Sequence, residues 1–407
     1  MRINRLILAL LALLPASGAG AQSLAYHFDA PAAIWEECFP QGNGRIGFMA
    51  DGRTDREKIV LNEISTWSGS IQNTDNPEAA KHLPEIRSLL FQGRNFEAQE
   101  LVYKYFTCAG VGSNGGKSFA KPYGCYQLFG NLYIDYGMKG EVSGYRRELS
   151  LPEAVSVVSY KQGGVNYRRE LFASYCDDVN VIRLTADRKG AISLKLSMDR
   201  KSNVEWKQAW QPVCSVEDGD LLFRGRLHAG TEADDDAELK GMKLEGRVRV
   251  LLPKGGSLSN DGQSLSVSDA SEVIILAGSI TDYFSEGYAS ELKAQVDAAA
   301  KKSYRKLLSS HKEAFGRLFG RVDLSFGSDP AREALPMGER LAAFEKDHND
   351  PSLVSLYYQF GRYLLISSTR PGCLPPNLQG LWAQTIRTPW NGDYHMNINV
   401  EMNLWPA

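Results

Sequence analysis

From about residue 24 to residue 290 the chain alternates short runs of β-branched and aromatic residues with Gly, Asp and Asn punctuation. Asn131–Tyr136, Ala154–Tyr160, Val179–Leu184, Gly246–Leu252 and Val273–Leu276 are such runs, and each predicts a strand. No regular helices intervene, so the pattern predicts an antiparallel sandwich and disfavours a doubly wound α/β sheet. One helical interruption is predicted at Pro77–Val102. There Leu83, Ile86, Leu89, Leu90 and Phe91 share a face, and Phe96 and Leu101 continue a second stretch. A linker-like helical stretch follows at Ser290–Phe319, with Leu292, Val296, Leu307 and Leu308 spaced as a stripe. Val322–Phe326 reads as a short strand and Pro330–Asp350 as a polar, mixed stretch. Leu353, Leu356, Tyr357, Phe360, Tyr363 and Leu364 then predict a largely buried helix ending near Ser368. That helix has nothing to pack against before the chain stops at Ala407, the pattern of a truncated sequence.

The first residues read differently. Arg2 and Arg5 precede an unbroken apolar run, Leu6–Leu14, and Ala19-Gly20-Ala21 offers a small-x-small cleavage site before Gln22. The run is far short of the ~20 residues of a membrane span, so residues 1–21 are expected to be a cleaved secretory signal and the chain an exported one, periplasmic or extracellular. No later segment approaches membrane length.

Composition narrows the class. The 407 residues are 43% hydrophobic and 23% charged, an ordinary globular balance, and the formal net charge is −2. A nearly neutral chain has no basic field for phosphates, so nucleic acid is not an expected partner. Cys38, Cys108, Cys125, Cys176, Cys214 and Cys373 form no CxxC pair and no zinc-ligand spacing with histidine. A disulfide between Cys108 and Cys125, closing a Gly-rich loop, and six free thiols are both compatible with the spacing. Five acids in Glu232–Glu238 read as a solvated loop.

Gly42-Asn43-Gly44-Arg45-Ile46-Gly47 is formally GxGxxG, but it follows Pro40 and runs into Phe48–Gly52, a strand and turn. A dinucleotide site needs a preceding strand and a following helix, so a tight glycine turn in a β domain is expected. No GxSxG, HExxH, P-loop or EF-hand pattern occurs. The densest polar motif lies at the end. From 395 to 404, His395, Asn397, Asn399, Glu401 and Asn403 alternate strictly with Met396, Ile398, Val400, Met402 and Leu404. In extended backbone the five polar side chains share one face. Trp382, Trp390 and Trp405 lie alongside, three of seven tryptophans in the last 26 residues. Amides, an imidazole and a carboxylate beside aromatic rings suit sugar hydroxyls and the apolar face of a pyranose.

At these residues the sequence resembles glycoside hydrolase family 95, whose characterised members are mainly 1,2-α-L-fucosidases. Gly42–Gly47 resembles the family's GNGRLG. Leu61-Asn62-Glu63-Ile64-Ser65-Thr66-Trp67-Ser68-Gly69 resembles LNEDTLWSG, departing at residues 64–66. Tyr126–Leu132 and Tyr167–Ser174 fit two further segments, YQPLGDL and YxREYFAS. Ser368–Trp382 and Asn397–Ala407 match SRPGxLPANLQGxW and NINxEMNYWPA.

The resemblance implies an N-terminal β-super-sandwich (residues 22–289), a helical linker (290–336) and the truncated start of an (α/α)6 catalytic barrel (337–407). It turns the alternating segment from a long strand into a barrel loop running into a helix near Glu401. It further implies inversion at the anomeric carbon, with a glutamic acid protonating the leaving oxygen and water held by two asparagine carbonyls. Those carbonyls map onto Asn397 and Asn399 as catalytic residues, with His395 and Trp382 as sugar contacts. The acid and a polarising aspartate map beyond residue 407, so the fragment alone is expected to be inactive and to expose apolar surface. No metal or other cofactor is expected, and the partner is a fucosylated glycan. Two alternatives stand beside this: an α-L-galactosidase of the same family, and a non-catalytic carbohydrate-binding β-sandwich protein.

Overall fold

The computed structural model describes residues 23–113, 115–116, 118–202, 211–230 and 241–407. The expected signal segment and the acidic run Glu232–Glu238 lie outside these residues. Among the described residues, no helix is long and apolar enough to cross a membrane.

The chain opens with β1 (Ala25–Phe28), β2 (Phe39–Gly42), β3 (Ile46–Ala50) and β4 (Arg56–Glu63), then a helical hairpin, α1 (Ala79–Phe91) and α2 (Asn95–Tyr105). A long run of strands follows: β5 (Gly130–Tyr136), β6 (Val142–Ser150), β7 (Val155–Gln162), β8 (Val165–Ala173), β9 (Asn180–Ala186) and β10 (Ile192–Asp199). It continues through β11 (Val213–Glu217), β12 (Asp220–Arg226), β13 (Lys243–Leu251), β14 (Ser257–Asn260), β15 (Leu265–Ala270) and β16 (Glu272–Thr281). Helices close the chain: α3 (Tyr288–Ala300), α4 (Tyr304–Phe319), α5 (Pro330–Glu333), α6 (Met337–Asp347), α7 (Pro351–Ser368) and α8 (Asn399–Leu404).

The strands form two antiparallel sheets. One runs β1-β6-β7-β8-β9-β16-β13-β12-β11 and the other β14-β15-β10-β5-β4-β3-β2. Their facing sides share one core, built from alternate residues such as Ile192, Leu194, Leu196 and Met198 of β10 and Leu132 and Ile134 of β5. The sandwich expected from the strand-like texture is therefore present. The same alternation points two charged residues inward. Arg169 of β8 and Glu57 of β4 have no exposed side-chain surface and meet 2.5 Å apart. The Tyr136 hydroxyl donates to the same Glu57 oxygen (2.6 Å), and Arg169 also donates to the Gly52 carbonyl (2.9 Å). An ion pair survives here because both partners are hydrogen-bonded between the sheets.

The strand β16 is buried along its whole length, because the linker helices cover its outer side. Leu292, Val296 and Leu307 pack there against Phe172, Val181 and Leu276, the stripe expected from their spacing. On α4 the stripe continues as His311, Phe315 and Phe319, four residues apart. His311 Nδ1 accepts the Tyr175 backbone N–H (3.3 Å), which leaves Nε2–H to donate to the Ala154 carbonyl (3.0 Å). Burial holds this imidazole neutral, its pKa pushed down to about 4. The long helix α7 starts on a capping Asp350 with Pro351 behind it, and Asp350 is also gripped by buried Arg340 (2.8 and 2.9 Å).

Several expectations are refined, and the open question of the cysteines is answered. Val322–Phe326 forms no strand, because the Val322 carbonyl is taken by Gln359 and Arg362 side chains of α7 rather than by a neighbouring strand. The interruption at 77–102 is two helices, and only Ile86, Leu89 and Ala98 are buried between them; Leu90 and Phe91 face solvent. Tyr357 of α7 is likewise exposed. The polar stretch 330–350 is largely helical, as α5 and α6. All six cysteines are free; Cys108 is exposed while Cys125 is buried, so no disulfide closes the loop between them.

Candidate functional site

The glycine turn joining β2 to β3 explains itself once α7 is in place. Gly44 has φ +85°, and its N–H donates to the Ser367 carbonyl at the end of α7 (2.8 Å). A Cβ at Gly42 would lie 2.3 Å from that same carbonyl oxygen, and one at Gly47 would lie 2.7 Å from Leu381 Cδ2. The glycines are therefore there to let the segment after α7 lie flat on the hairpin. Asn43 caps the turn, its Oδ1 accepting the N–H groups of Arg45 and Ile46 (2.9 Å each). Its amide donates to the Ser174 carbonyl (2.8 Å) and to Asp178 (2.9 Å). Arg370 grips the same Asp178 carboxylate at 2.7 and 2.8 Å.

From Arg370 the chain crosses the sandwich in a long loop that other strands hold by its backbone. Asn377 and Gly380 close a tight turn (2.8 and 3.2 Å). The Trp382 indole donates to the Gln41 carbonyl (2.9 Å), Asn62 to the Ala383 carbonyl (2.9 Å), and the Tyr126 hydroxyl to the Leu381 carbonyl (2.5 Å). Trp67 stacks on Tyr394 at 5.5 Å. The sequence segments around Gly44, Glu63, Tyr126, Ser174 and Arg370, far apart along the chain, thus meet beneath one loop.

That loop delivers the polar residues. Asp393 is 8% exposed and accepts from the Tyr123 hydroxyl (3.1 Å). Its Oδ2 lies 3.7 Å from His395 Nε2, while its buried Oδ1 has no hydrogen-bond partner. Burial raises the Asp393 pKa, against the pull of Tyr123 and His395. On its other side His395 Nδ1 lies 3.3 Å from Asn399 Oδ1. The carboxylate, imidazole and carboxamide therefore form one series, with the exposed Asn397 in the turn between His395 and Asn399.

The extended arrangement of 395–404 is not adopted, whereas the loop running into a helix near Glu401, which the resemblance implied, is. Residues 396–398 turn and α8 begins at Asn399, so the five alternating polar residues do not share a face. The i, i+4 spacing of a helical turn brings His395 to Asn399 instead. Glu401 is exposed, and Asn403 donates to the carbonyls of Pro376 and Asn377 (3.3 and 3.2 Å), tying α8 back to the loop. Trp382 stands apart from the series, half-buried against the β2–β3 hairpin.

Sequence reasoning passed over Asp393 and Tyr123. The signal for Asp393 was available, since extending the polar alternation two residues backward from His395 reaches it. It also passed over Glu63, a fully buried carboxyl whose pKa burial pushes up to about 7. Ser65 donates to it through N–H (2.8 Å) and Oγ (2.6 Å), but with no exposed surface it does not reach a substrate in this arrangement. Among the described residues, no three His, Cys, Asp or Glu side chains are grouped to hold a metal.

A shallow, open depression of about 460 Å³, lined by Val111, Gly112, Lys121, Pro122 and Gly230, lies next to Ser113 and Tyr123, which hydrogen-bond to the loop. Chemically, the loop offers one buried carboxylate, an imidazole that passes its orientation to a carboxamide, and a second carboxamide open to solvent. These groups can exchange hydrogen bonds with hydroxyls and orient a water molecule; a carboxamide is too weak a base to take its proton.

Comparison with known proteins bears on both halves. Residues 27–286 match the model of the glycosyl hydrolase family 65 N-terminal domain, and residues 303–407 match that of the glycosyl hydrolase family 95 catalytic domain. The chain is 32% identical to "Alpha-L-fucosidase 2" of Arabidopsis thaliana, over 93% of this chain and 46% of that protein. It is 30% identical to "Probable alpha-fucosidase A" of Aspergillus niger, over 97% and 50% respectively. A solved structure, "Putative kojibiose phosphorylase from human microbiome", superposes with a TM-score of 0.51 at 12% identity, over 88% of this chain and 43% of that one. It shares the fold. The chain spans about half the length of these relatives.

Proposed function

Because the chain belongs to glycoside hydrolase family 95, with an N-terminal domain of the family 65 type, we propose that it serves the hydrolysis of terminal 1,2-linked α-L-fucosides, with inversion at the anomeric carbon. The observation that carries this reading is the placement of His395 between Asp393 (3.7 Å) and Asn399 (3.3 Å), with Asn397 exposed beside them. The names of the relatives support fucose as the sugar.

In this reading, water donates its hydrogens to the side-chain oxygens of Asn397 and Asn399 and presents a lone pair to the anomeric carbon. His395 Nδ1 lies 3.3 Å from Asn399 Oδ1; in the tautomer this reading requires, Nδ1–H donates there and Asn399 keeps its second lone pair for the water. Asp393 lies on the other side of the ring, 3.7 Å from Nε2. The anomeric C–O bond breaks as a carboxylic acid protonates the leaving oxygen, and the water proton passes to a carboxylate. Neither Glu63, sealed from solvent, nor the exposed Glu401 is assigned the acid's part. We assign that part, and the polarisation of the amides, to the half of the relatives' length that this chain does not span, where α6–α8 would continue into an (α/α)6 barrel. Export by way of residues 1–21 belongs to the same reading.

The test is steady-state kinetics of the full-length protein carrying Asn397→Asp or Asn399→Gly. Loss of one preorganised water contact lowers kcat by about 10²–10³-fold, with a much smaller change in KM. A variant that keeps wild-type kcat removes the carboxamide from the mechanism. A protein that binds fucosides and never releases fucose is a carbohydrate-binding module instead.

A further inference from the structure

The loop carries a feature that the water-holding role does not use. Trp390 is 68% exposed, and its backbone is left-handed at φ 47° and ψ 34°, a conformation that a bulky side chain avoids. Asn391 follows in the same region at φ 59°. Two such residues in succession persist only when the surroundings over-determine them, and here they do. The Asn391 side chain donates to the Ser113 carbonyl (3.1 Å) and accepts the Ser118 N–H (3.0 Å). Its main chain accepts the Tyr126 N–H (2.8 Å) and donates to the Thr388 carbonyl (3.1 Å). The Trp390 carbonyl in turn accepts the Asp393 N–H (3.2 Å), which closes a turn from the tryptophan to the carboxylate of the series.

The strain thus holds an indole out of the protein rather than into it, at the lip of the residues proposed to act on fucose. The depression lies against the same clamp. Gly112 of its wall adjoins Ser113, which binds Asn391, and Pro122 adjoins Tyr123, which binds Asp393. An exposed flat apolar ring, one turn from the Asp393 carboxylate, matches the apolar C–H face of a pyranose.

Building on the fucosidase reading, we propose that Trp390 is the platform for the leaving-group sugar, the pyranose to which the fucose is linked. The indole stacks on that ring and sets the glycosidic oxygen over the Asp393–His395–Asn399 series; the fucose itself makes no claim on it.

The test compares two substrates of the full-length protein: 2′-fucosyllactose, which leaves a sugar, and α-L-fucosyl fluoride, which leaves a single ion. With Trp390→Ala, the ratio of kcat/KM for the oligosaccharide to kcat/KM for the fluoride falls about tenfold, the size of one lost ring contact. Trp390→Phe, which keeps a ring and guards against a folding defect, restores most of the ratio. A ratio unchanged in Trp390→Ala overturns the proposal, whether both activities fall together or neither moves. Failure of the wild type to release fucose from either substrate refutes the fucosidase reading and takes this assignment with it.

Discussion

Between the two sheets, side chains do the holding: Arg169 and Glu57 are sealed among tyrosines, and alternate residues of β10 and β5 in one sheet share a core with Leu171 of β8 and Ile182 and Leu184 of β9 in the other. Over the loop from Thr369 to Ile398 the roles reverse. There Asn62 and Tyr126 of the sandwich domain donate to the loop's backbone carbonyls, the loop's own Trp382 donates to the Gln41 carbonyl, and several of its other side chains point outward. Met396, Ile398, Met402, Leu404 and Trp405 are all exposed in and after it. The first arrangement makes a scaffold whose buried charges are held by an opposite charge or by hydrogen-bond acceptors. The second positions a backbone accurately while leaving side chains available for a ligand, which is how loops on rigid scaffolds come to carry function.

The comparison breaks first at the buried pair. Glu57→Gln leaves the Arg169 guanidinium without its counter-charge in a dry core, and urea unfolding should show a loss of about 3–5 kcal/mol. Replacing both partners by Met should recover most of it, because two apolar side chains need no counter-charge. A single variant as stable as the wild type would mean that solvent reaches the pair.

Acid probes the join between sandwich and linker. The His311 pKa is pushed down to about 4 from an ordinary value near 6.5, so the unfolded chain takes up this proton first. The stability contributed is complete above pH 6.5 and is lost as pH falls through 4, up to about 3 kcal/mol at 1.36 kcal/mol per unit. The raised pKa values of Glu63 (about 7) and Asp51 (about 6) act in the opposite sense, their stabilisation being lost as pH rises. The difference between wild type and His311→Gln isolates the imidazole: the gap in folding free energy should close steadily between pH 6.5 and 4. A constant gap would mean that the ring is already solvated.

The sandwich was largely legible because period-two alternation survives burial. Val179–Leu184 and Val273–Leu276 became β9 and β16 within a few residues. The helical stripe that follows was legible from its own period, Leu292 and Val296 lying one turn apart on α3 and Leu307 continuing it on α4. The site was legible in composition but not in conformation. His395, Asn397 and Asn399 were visible as a polar run; alternation alone suggested a strand, the family resemblance gave the turn into a helix near Glu401, and neither foretold that His395 meets Asn399 four residues on. No local pattern foretold that Asn391 would hold Trp390 in a left-handed backbone, because the groups that do so, Ser113, Ser118 and Tyr126, lie more than 260 residues away. The glycines of 42–47 were read as a turn, and only the approach of α7 shows why Cβ atoms are excluded there.

The most direct test of the whole account is ¹H NMR of the anomeric signal during the first minutes of hydrolysis of a 1,2-linked α-L-fucoside by the full-length protein. Attack by a water held on Asn397 and Asn399, opposite the leaving oxygen, gives β-L-fucose first, with the α anomer growing in only by mutarotation. α-L-Fucose as the first product would contradict the held-water mechanism.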